Sequence, residues 1–380
     1  MKKANSVIIA AALIITAFTL PDRTQINDRL IIEGIGIDGT DGNGYTVTVQ
    51  ALDTSAQSGN AGNEKTADLT KLYSVTGVTP GEALGRLPAV TGASPLYSQT
   101  RVLVLGRETA ERSVSGALDF FIREYTARSD VLLAVSDTSA AELISADVGE
   151  GTSCARTIAS VMTSGKDTGM TSAVELYRFI SLSENRNDCA YCQILGIQKD
   201  ERKAAVVPCG TALFSDGKIC GTVSAEDTPF FLLLTGGSGK ISISQSTHAG
   251  IFTLEAVRTK RRIRTFTDKN TPLCSIICTA VCDITEFSPH SDKKLTSDDI
   301  SALAEITADD LTKGCAKVLD AFYYSKRCDI CRIADRMKLF HSVFYRSMYS
   351  DDNKKSPPAN VDLTVKVKIR RTGREMIIGE

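Results

Sequence analysis

The sequence predicts an α/β (α+β) multidomain protein in which mixed and antiparallel sheets are each packed with helices. Three observations predict it. Segments whose apolar residues alternate with period two are interleaved with segments whose apolar residues recur at helical spacing. The first part of the chain reads hairpin, helix, strand, helix, strand, helix, the rhythm of an α/β layer. The last third carries longer alternating segments and one long helical pattern. A chain of 380 residues outgrows one ordinary core. The boundaries are placed at 1–21 for a signal peptide or N-terminal membrane anchor and 22–165 for an N-terminal α/β domain. A middle α/β domain with a hairpin spans 166–240, and a C-terminal domain of antiparallel sheet plus helices spans 241–380.

Lys2 and Lys3 precede an apolar run from Val7 to Leu20 that only Thr16 and Thr19 interrupt. A basic flank before a short apolar stretch directs export, with the basic end held inside. As a helix the run covers roughly 21 Å at about 1.5 Å per residue, against a hydrocarbon core of roughly 30 Å. It is short for an anchor, and the cleavage candidates Ala17 and Thr19 are poor, so both a signal and a retained anchor stay open.

Leu30 to Leu52 poses the first functional question, because Gly34, Gly36 and Gly39 spell the dinucleotide fingerprint G-x-G-x-x-G. That motif binds phosphate only when a helix follows it. Here Asp38 to Gly44 is a turn cluster, and Tyr45 to Gln50 alternates as a second strand. The segment is therefore read as a β-hairpin that binds no nucleotide. Gln57 to Thr66 is polar and small, a loop. Thr79-Pro80-Gly81-Glu82 starts a helix with a capping box. Val102 to Leu105 is a continuous apolar strand, covered on both faces and ended by Gly106. Val114, Ala117, Leu118, Phe121 and Ile122 give Ser113 to Tyr125 an amphipathic helical face. Val131 to Val135 is a further strand, and Asp137 or Ser139 caps the helix after it.

Gly165 to Gly169 reads as a flexible break and Ala173 to Ile180 as a helix. Thr211 to Val223 is a hairpin turned by Asp216-Gly217. Thr235-Gly236-Gly237-Ser238-Gly239-Lys240 imitates a phosphate loop, but Leu234 stands at the first glycine and Ile241 where a magnesium-binding hydroxyl belongs. It is read as a linker between domains. Strand patterns cover Ile241 to Arg264 and Pro272 to Phe287, the latter with Cys274, Cys278 and Cys282 on one face. Ser297 is placed as the cap of a long helix whose apolar side holds Ile300, Leu303, Leu311, Val318 and Phe322. Val361 to Arg370 alternates strictly and reads as a half-buried antiparallel strand. Lys366, Lys368 and Arg370 face outward, read first as a solvated sheet surface that discourages edge pairing and, as the alternative, as a face attracted to an anionic membrane or partner.

Chemistry is sparse. A formal net charge of −1 argues against nucleic acid. The three histidines, His248, His290 and His341, belong to no ligand run, and no G-x-S-x-G elbow is present. Among eleven cysteines, Cys189/Cys192 and Cys328/Cys331 are C-x-x-C pairs, which together could make a zinc site. They flank an expected domain boundary, so no structural zinc is expected. Asp298-Asp299 and Asp309-Asp310 suit helix starts or solvated faces. No catalytic, cofactor-binding or metal residue is assigned.

Five segments, in order, resemble the Ger(x)C lipoproteins, the C subunits of bacterial spore germinant receptors. They are Asp22-Arg23 through Gly34-Ile35-Gly36-Ile37-Asp38, Gly77 to Leu87 with Leu96-Tyr97 through Gly106, Leu118 to Val135 with Arg123-Glu124 and Arg128, Gly210 to Gly221, and Val365 to Gly373. The resemblance implies a three-domain α/β protein on the extracytoplasmic face of the spore inner membrane. It would act with two integral-membrane subunits, A-type and B-type, in nutrient-triggered germination, and would not be an enzyme. Leu20 stands where the family has its lipidated cysteine, followed by Pro21 in place of a tryptophan, so no lipid attachment is carried over. The competing classes are an envelope metal- or redox-active protein using the C-x-x-C pairs, and a nucleotide enzyme built on the glycine motifs.

Overall fold

The computed structural model describes residues 29–42, 44–53, 70–124, 128, 130–149, 152–184, 189–199, 203–237, 239–268, 271–290, 295–348 and 359–371. The expectations for the apolar run Val7 to Leu20, for Leu20 and Pro21, and for the loop Gln57 to Thr66 lie outside those residues.

The chain begins with the expected hairpin: β1 (Arg29–Gly39) pairs antiparallel with β2 (Tyr45–Leu52), and β3 (Thr70–Gly77) adds to β2. Next come α1 (Pro80–Gly85), α2 (Leu87–Thr91), β4 (Ser94–Leu96), β5 (Val102–Leu105), α3 (Arg107–Arg112) and α4 (Val114–Arg123). Then follow β6 (Leu132–Ser136), α5 (Ala140–Ile144), α6 (Cys154–Asp167), β7 (Val174–Glu175), α7 (Leu176–Ser183), β8 (Ala190–Lys199), β9 (Ala204–Ser215) and β10 (Lys218–Ser224). Helix starts follow the local chemistry. Thr79 Oγ1 accepts the Glu82 N–H at the head of α1, while the Glu82 carboxylate takes the N–H of Val78. Ser139, the second of the two candidates, caps α5 through the Glu142 N–H.

One mixed sheet runs in the order β10-β9-β8-β6-β5-β1-β2-β3. Its centre, β8-β6-β5-β1, is parallel, which requires cover on both faces. Leu103, Leu105, Leu133 and Val135 point to the side of α4 and α7. Val102, Val104 and Ala134 point to α5 and α6. The sheet continues across residue 165, because β8 hydrogen-bonds to β6. The expected break at Gly165 to Gly169 is a helix end instead. Gly165 lies within α6 against the Thr171 side chain, and Gly169 follows at φ +71°. The segment Ala173 to Ile180 divides into β7 and the start of α7. Asp216 (φ 54°) and Gly217 (φ 74°) make the β9–β10 turn as predicted.

The second sheet has the order β11 (Ile241–Ser246), β12 (Gly250–Asp268), β13 (Thr271–Pro289) and β14 (Asn360–Arg371). It is preceded by α8 (Thr228–Thr235). Between β13 and β14 the chain forms α9 (Ser297–Val318), continued by a π-helical turn over Leu319–Tyr324, then α10 (Ile333–Phe340) and α11 (Ser342–Met348). Cys274, Ile276, Cys278, Ala280, Cys282 and Ile284 of β13 form a buried face against Leu303, Leu311, Cys315 and Val318 of α9. Thr296, not Ser297, caps α9: its backbone is extended (φ −108°, ψ 166°) while Ser297 is already helical. Thr296 Oγ1 accepts the Asp299 N–H, and the Asp299 carboxylate accepts the Thr296 N–H at 2.8 Å. β14 runs parallel to β13, so the expected antiparallel direction is corrected. The alternation reports a half-buried face, not a direction. The long helical crossover before β14 is the connection a parallel pair needs.

Candidate functional site

The glycine fingerprint serves packing. Gly34 and Gly36 lie in mid-strand in β1. A Cβ on Gly34 would stand 2.6 Å from the Ala155 Cβ of α6, and one on Gly36 would stand 3.0 Å from the Ala140 carbonyl oxygen of α5. Two helices thus press directly on the strand backbone. Asp38, between Gly36 and Gly39, accepts the Ala140 and Ala141 N–H groups, both at 2.8 Å. The helix N-terminus that packs on the motif already holds an anion of the protein's own. Gly39 donates its N–H to Thr109 Oγ1, and Thr40 closes the tip on Gly44. Neither a following helix nor an open anion cradle stands here.

The second glycine stretch has its context reversed. A phosphate loop needs a strand before it and a helix after it. Here α8 precedes and β11 follows; Gly236 (φ 78°) ends the helix, and the Lys240 ammonium pairs with Glu255 at 3.3 Å. The histidines stay apart in role. His248 bonds Asp299 at 2.9 Å, His341 faces the Thr265 carbonyl, and His290 donates its backbone N–H to Ala249. An open groove of about 590 Å³ between α1 and α4 is lined by Pro80, Phe120, Asp119, Arg123 and Glu124, with Asp119 and Arg123 paired to each other. Lys366 and Lys368 face outward on the edge strand β14, while Arg370 pairs with Asp283 of β13. Among the described residues, no nucleophile, base and oxyanion donor come together.

The thiols differ from expectation. The two C-x-x-C pairs flank the expected domain boundary, yet one member of each meets the other. The Sγ atoms of Cys189, Cys220 and Cys328 all lie within 4.8 Å of one another, with Cys220 and Cys328 at 2.8 Å. Distance along the chain therefore does not keep the pairs apart in space: one thiol of each reaches the same point. Within each pair the partners diverge. Cys189 joins the core of the second sheet, whereas Cys192, three residues on along extended chain, points into the first. Cys331 is buried near Cys274 and Cys278. The Cys220 and Cys328 thiols, together with burial, push the Cys189 thiol's ionisation well up. Burial does the same for Cys192. Cys220, in β10, belongs to no sequence motif, and only the fold reveals it as the third member.

This is a mixed α/β protein whose two sheets share packing through α8 and the C-terminal helices, built without a catalytic constellation among its described residues. Residues 22–197 match the family described as Spore germination protein N-terminal domain, and residues 209–373 match Spore germination B3/GerAC like, C-terminal. The chain belongs to this GerAC-like family of spore germination proteins. A solved structure described as Crystal Structure of the GerBC protein is similar, with a TM-score of 0.58 and 17% identity over 88% of this chain and 96% of that one. That likeness supports the fold. No curated protein matches the sequence.

Proposed function

We propose that the chain is the non-enzymatic C subunit of a spore germinant receptor, held on the extracytoplasmic face of the spore inner membrane and acting with A-type and B-type integral-membrane subunits. The observation that carries this reading is the succession of two germination-family segments over residues 22–197 and 209–373. The filled helix terminus at Asp38 supports it against a nucleotide enzyme. Lys2, Lys3 and the apolar run to Leu20 support export, and Leu20 at the family's lipidation position supports attachment without diacylglycerol. No helix among the described residues is long and apolar enough to cross a membrane.

The test is genetic and biochemical. Spores lacking this chain should lose their response to a nutrient germinant and keep it to a receptor-independent trigger. The tagged chain should co-purify with two polytopic membrane proteins. An unchanged nutrient response in spores with no second receptor overturns the proposal.

A further inference from the structure

Cys189 sits immediately before β8, Cys220 in β10, and Cys328 after the π-helical turn that continues α9. These are three separate parts of the chain, and their side chains share one point. We propose that Cys189, Cys220 and Cys328 form a binding site for a soft, thiophilic d10 metal ion, Zn²⁺ or Cu⁺, which clasps the family's N-terminal segment to its C-terminal one.

Geometry comes first. With metal–sulfur bonds of about 2.3 Å, three thiolates around one ion stand roughly 3.8–4.0 Å apart. The observed spread, from 2.8 Å to no more than 4.8 Å, brackets that value, so small side-chain rotations complete the site. The supports are held in place. Cys220 belongs to the strand paired with β9, and its Sγ lies 3.4 Å from the Leu213 carbonyl. The Cys328 N–H bonds the Phe322 carbonyl at 2.9 Å.

The donor set comes second. All three donors are sulfur, and no carboxylate or imidazole joins them among the described residues. Soft thiolates select Zn²⁺ or Cu⁺ over Mg²⁺ or Ca²⁺. Cys189 and Cys328 are buried, while Cys220 is half-buried and leaves an entry path. The Lys326 ammonium donates to the Cys220 carbonyl at 2.9 Å, which further fixes the backbone that carries this thiol. On binding, each thiol passes its proton to solvent and forms one metal–sulfur bond, with no change in oxidation state.

Location gives the role. Cys189 lies in the segment 22–197 and the other two in 209–373, so one ion ties both parts. This inference is independent of the receptor reading.

The whole chain, reduced and stripped by a chelator, is titrated with Zn²⁺ and with Cu⁺ against a chromogenic competitor for each. One equivalent of one ion should bind and raise the melting temperature. Alkylation mapped by mass spectrometry should show Cys189, Cys220 and Cys328 protected while exposed Cys209 stays reactive. Cys220→Ser, at the half-buried position, should weaken binding at least about tenfold, and Cys209→Ser should leave it unchanged. Cobalt substitution reads the site without a variant, through sulfur-to-cobalt charge-transfer absorption. Binding of neither ion, protection of a different set of thiols, or unchanged affinity in both Cys220→Ser and Cys328→Ser overturns the proposal. So does a Cys220–Cys328 disulfide in metal-free protein purified without reductant.

Discussion

Gly34→Ala tests whether the fingerprint glycines exist for packing. The new Cβ would stand 2.6 Å from the Ala155 Cβ and 3.5 Å from a Val102 methyl. Carbon atoms prefer about 3.5–4.0 Å, so the overlap with Ala155 is roughly 1 Å. The helix cannot simply retreat, because the Ala155 N–H is bonded to Gln50 Oε1 at 2.8 Å and Ser153 caps α6 through Arg156. Overpacking of this kind costs about 1–3 kcal/mol. Replacing glycine also trims unfolded-state entropy, an opposing gain of about 0.4–1 kcal/mol. The clash wins, and a net loss of about 1–2 kcal/mol is expected. Ala155→Gly removes the colliding methyl, at a helix-propensity cost of up to about 1 kcal/mol by itself. In Gly34→Ala/Ala155→Gly the two losses should not add, and a coupling of at least about 1 kcal/mol in the favourable direction should remain. Chemical denaturation of all four proteins, followed by far-ultraviolet circular dichroism, measures it. Additive losses, or a neutral Gly34→Ala, refute the direct strand-to-helix contact.

Asp38→Ala should cost about 2 kcal/mol, since it strips two charge-assisted bonds from the start of α5; a change below about 0.5 kcal/mol in the same unfolding assay contradicts the capping role. Titration calorimetry with NAD and ATP should show no saturable binding, and a micromolar affinity abolished by Gly36→Val would reinstate the nucleotide reading. The Asp299 carboxyl is held below the usual range by the Thr296 hydroxyl first, then the Thr296 N–H and His248. A depressed folded-state value means that its stabilisation is present above the unfolded carboxylate pKa of about 4 and is lost as pH falls through the folded one. The stability gap between the native protein and Asp299→Asn should therefore be present at neutral pH and close as pH falls through the folded-state carboxyl value; a gap that persists undiminished in strong acid contradicts the assignment. Intact mass of membrane-extracted protein should carry no diacylglyceryl increment, and finding one would show that Leu20 is not the relevant position.

Several features were legible because they depend on neighbours in sequence. Val102 to Leu105, the turn at Asp216-Gly217, and the alternation of Val361 to Arg370 each follow from local sterics or from period-two burial. The strand pattern of Tyr45 to Gln50 after the turn likewise separates the fingerprint from a phosphate site. Other features could not be read along the chain. Alternation in β14 marks which side is buried, but its parallel direction comes from where the helical crossover returns it. Gly165 reads as a break locally, yet packing against Thr171 keeps it inside α6. Asp38 looked like part of a turn until the fold brought the first turn of α5, a hundred residues on, against it. The cysteines make the contrast sharpest. Spacing suggested that Cys189 belongs with Cys192, and Cys328 with Cys331. Three steps along an extended chain turn side chains to opposite faces, so Cys189 and Cys192 enter different cores. Cys189 instead meets Cys220 and Cys328 because β8, β9 and β10 extend one sheet and the end of α9 packs beside it. Local preference sets each residue's conformation, but only chain closure over long separations decides which side chains meet.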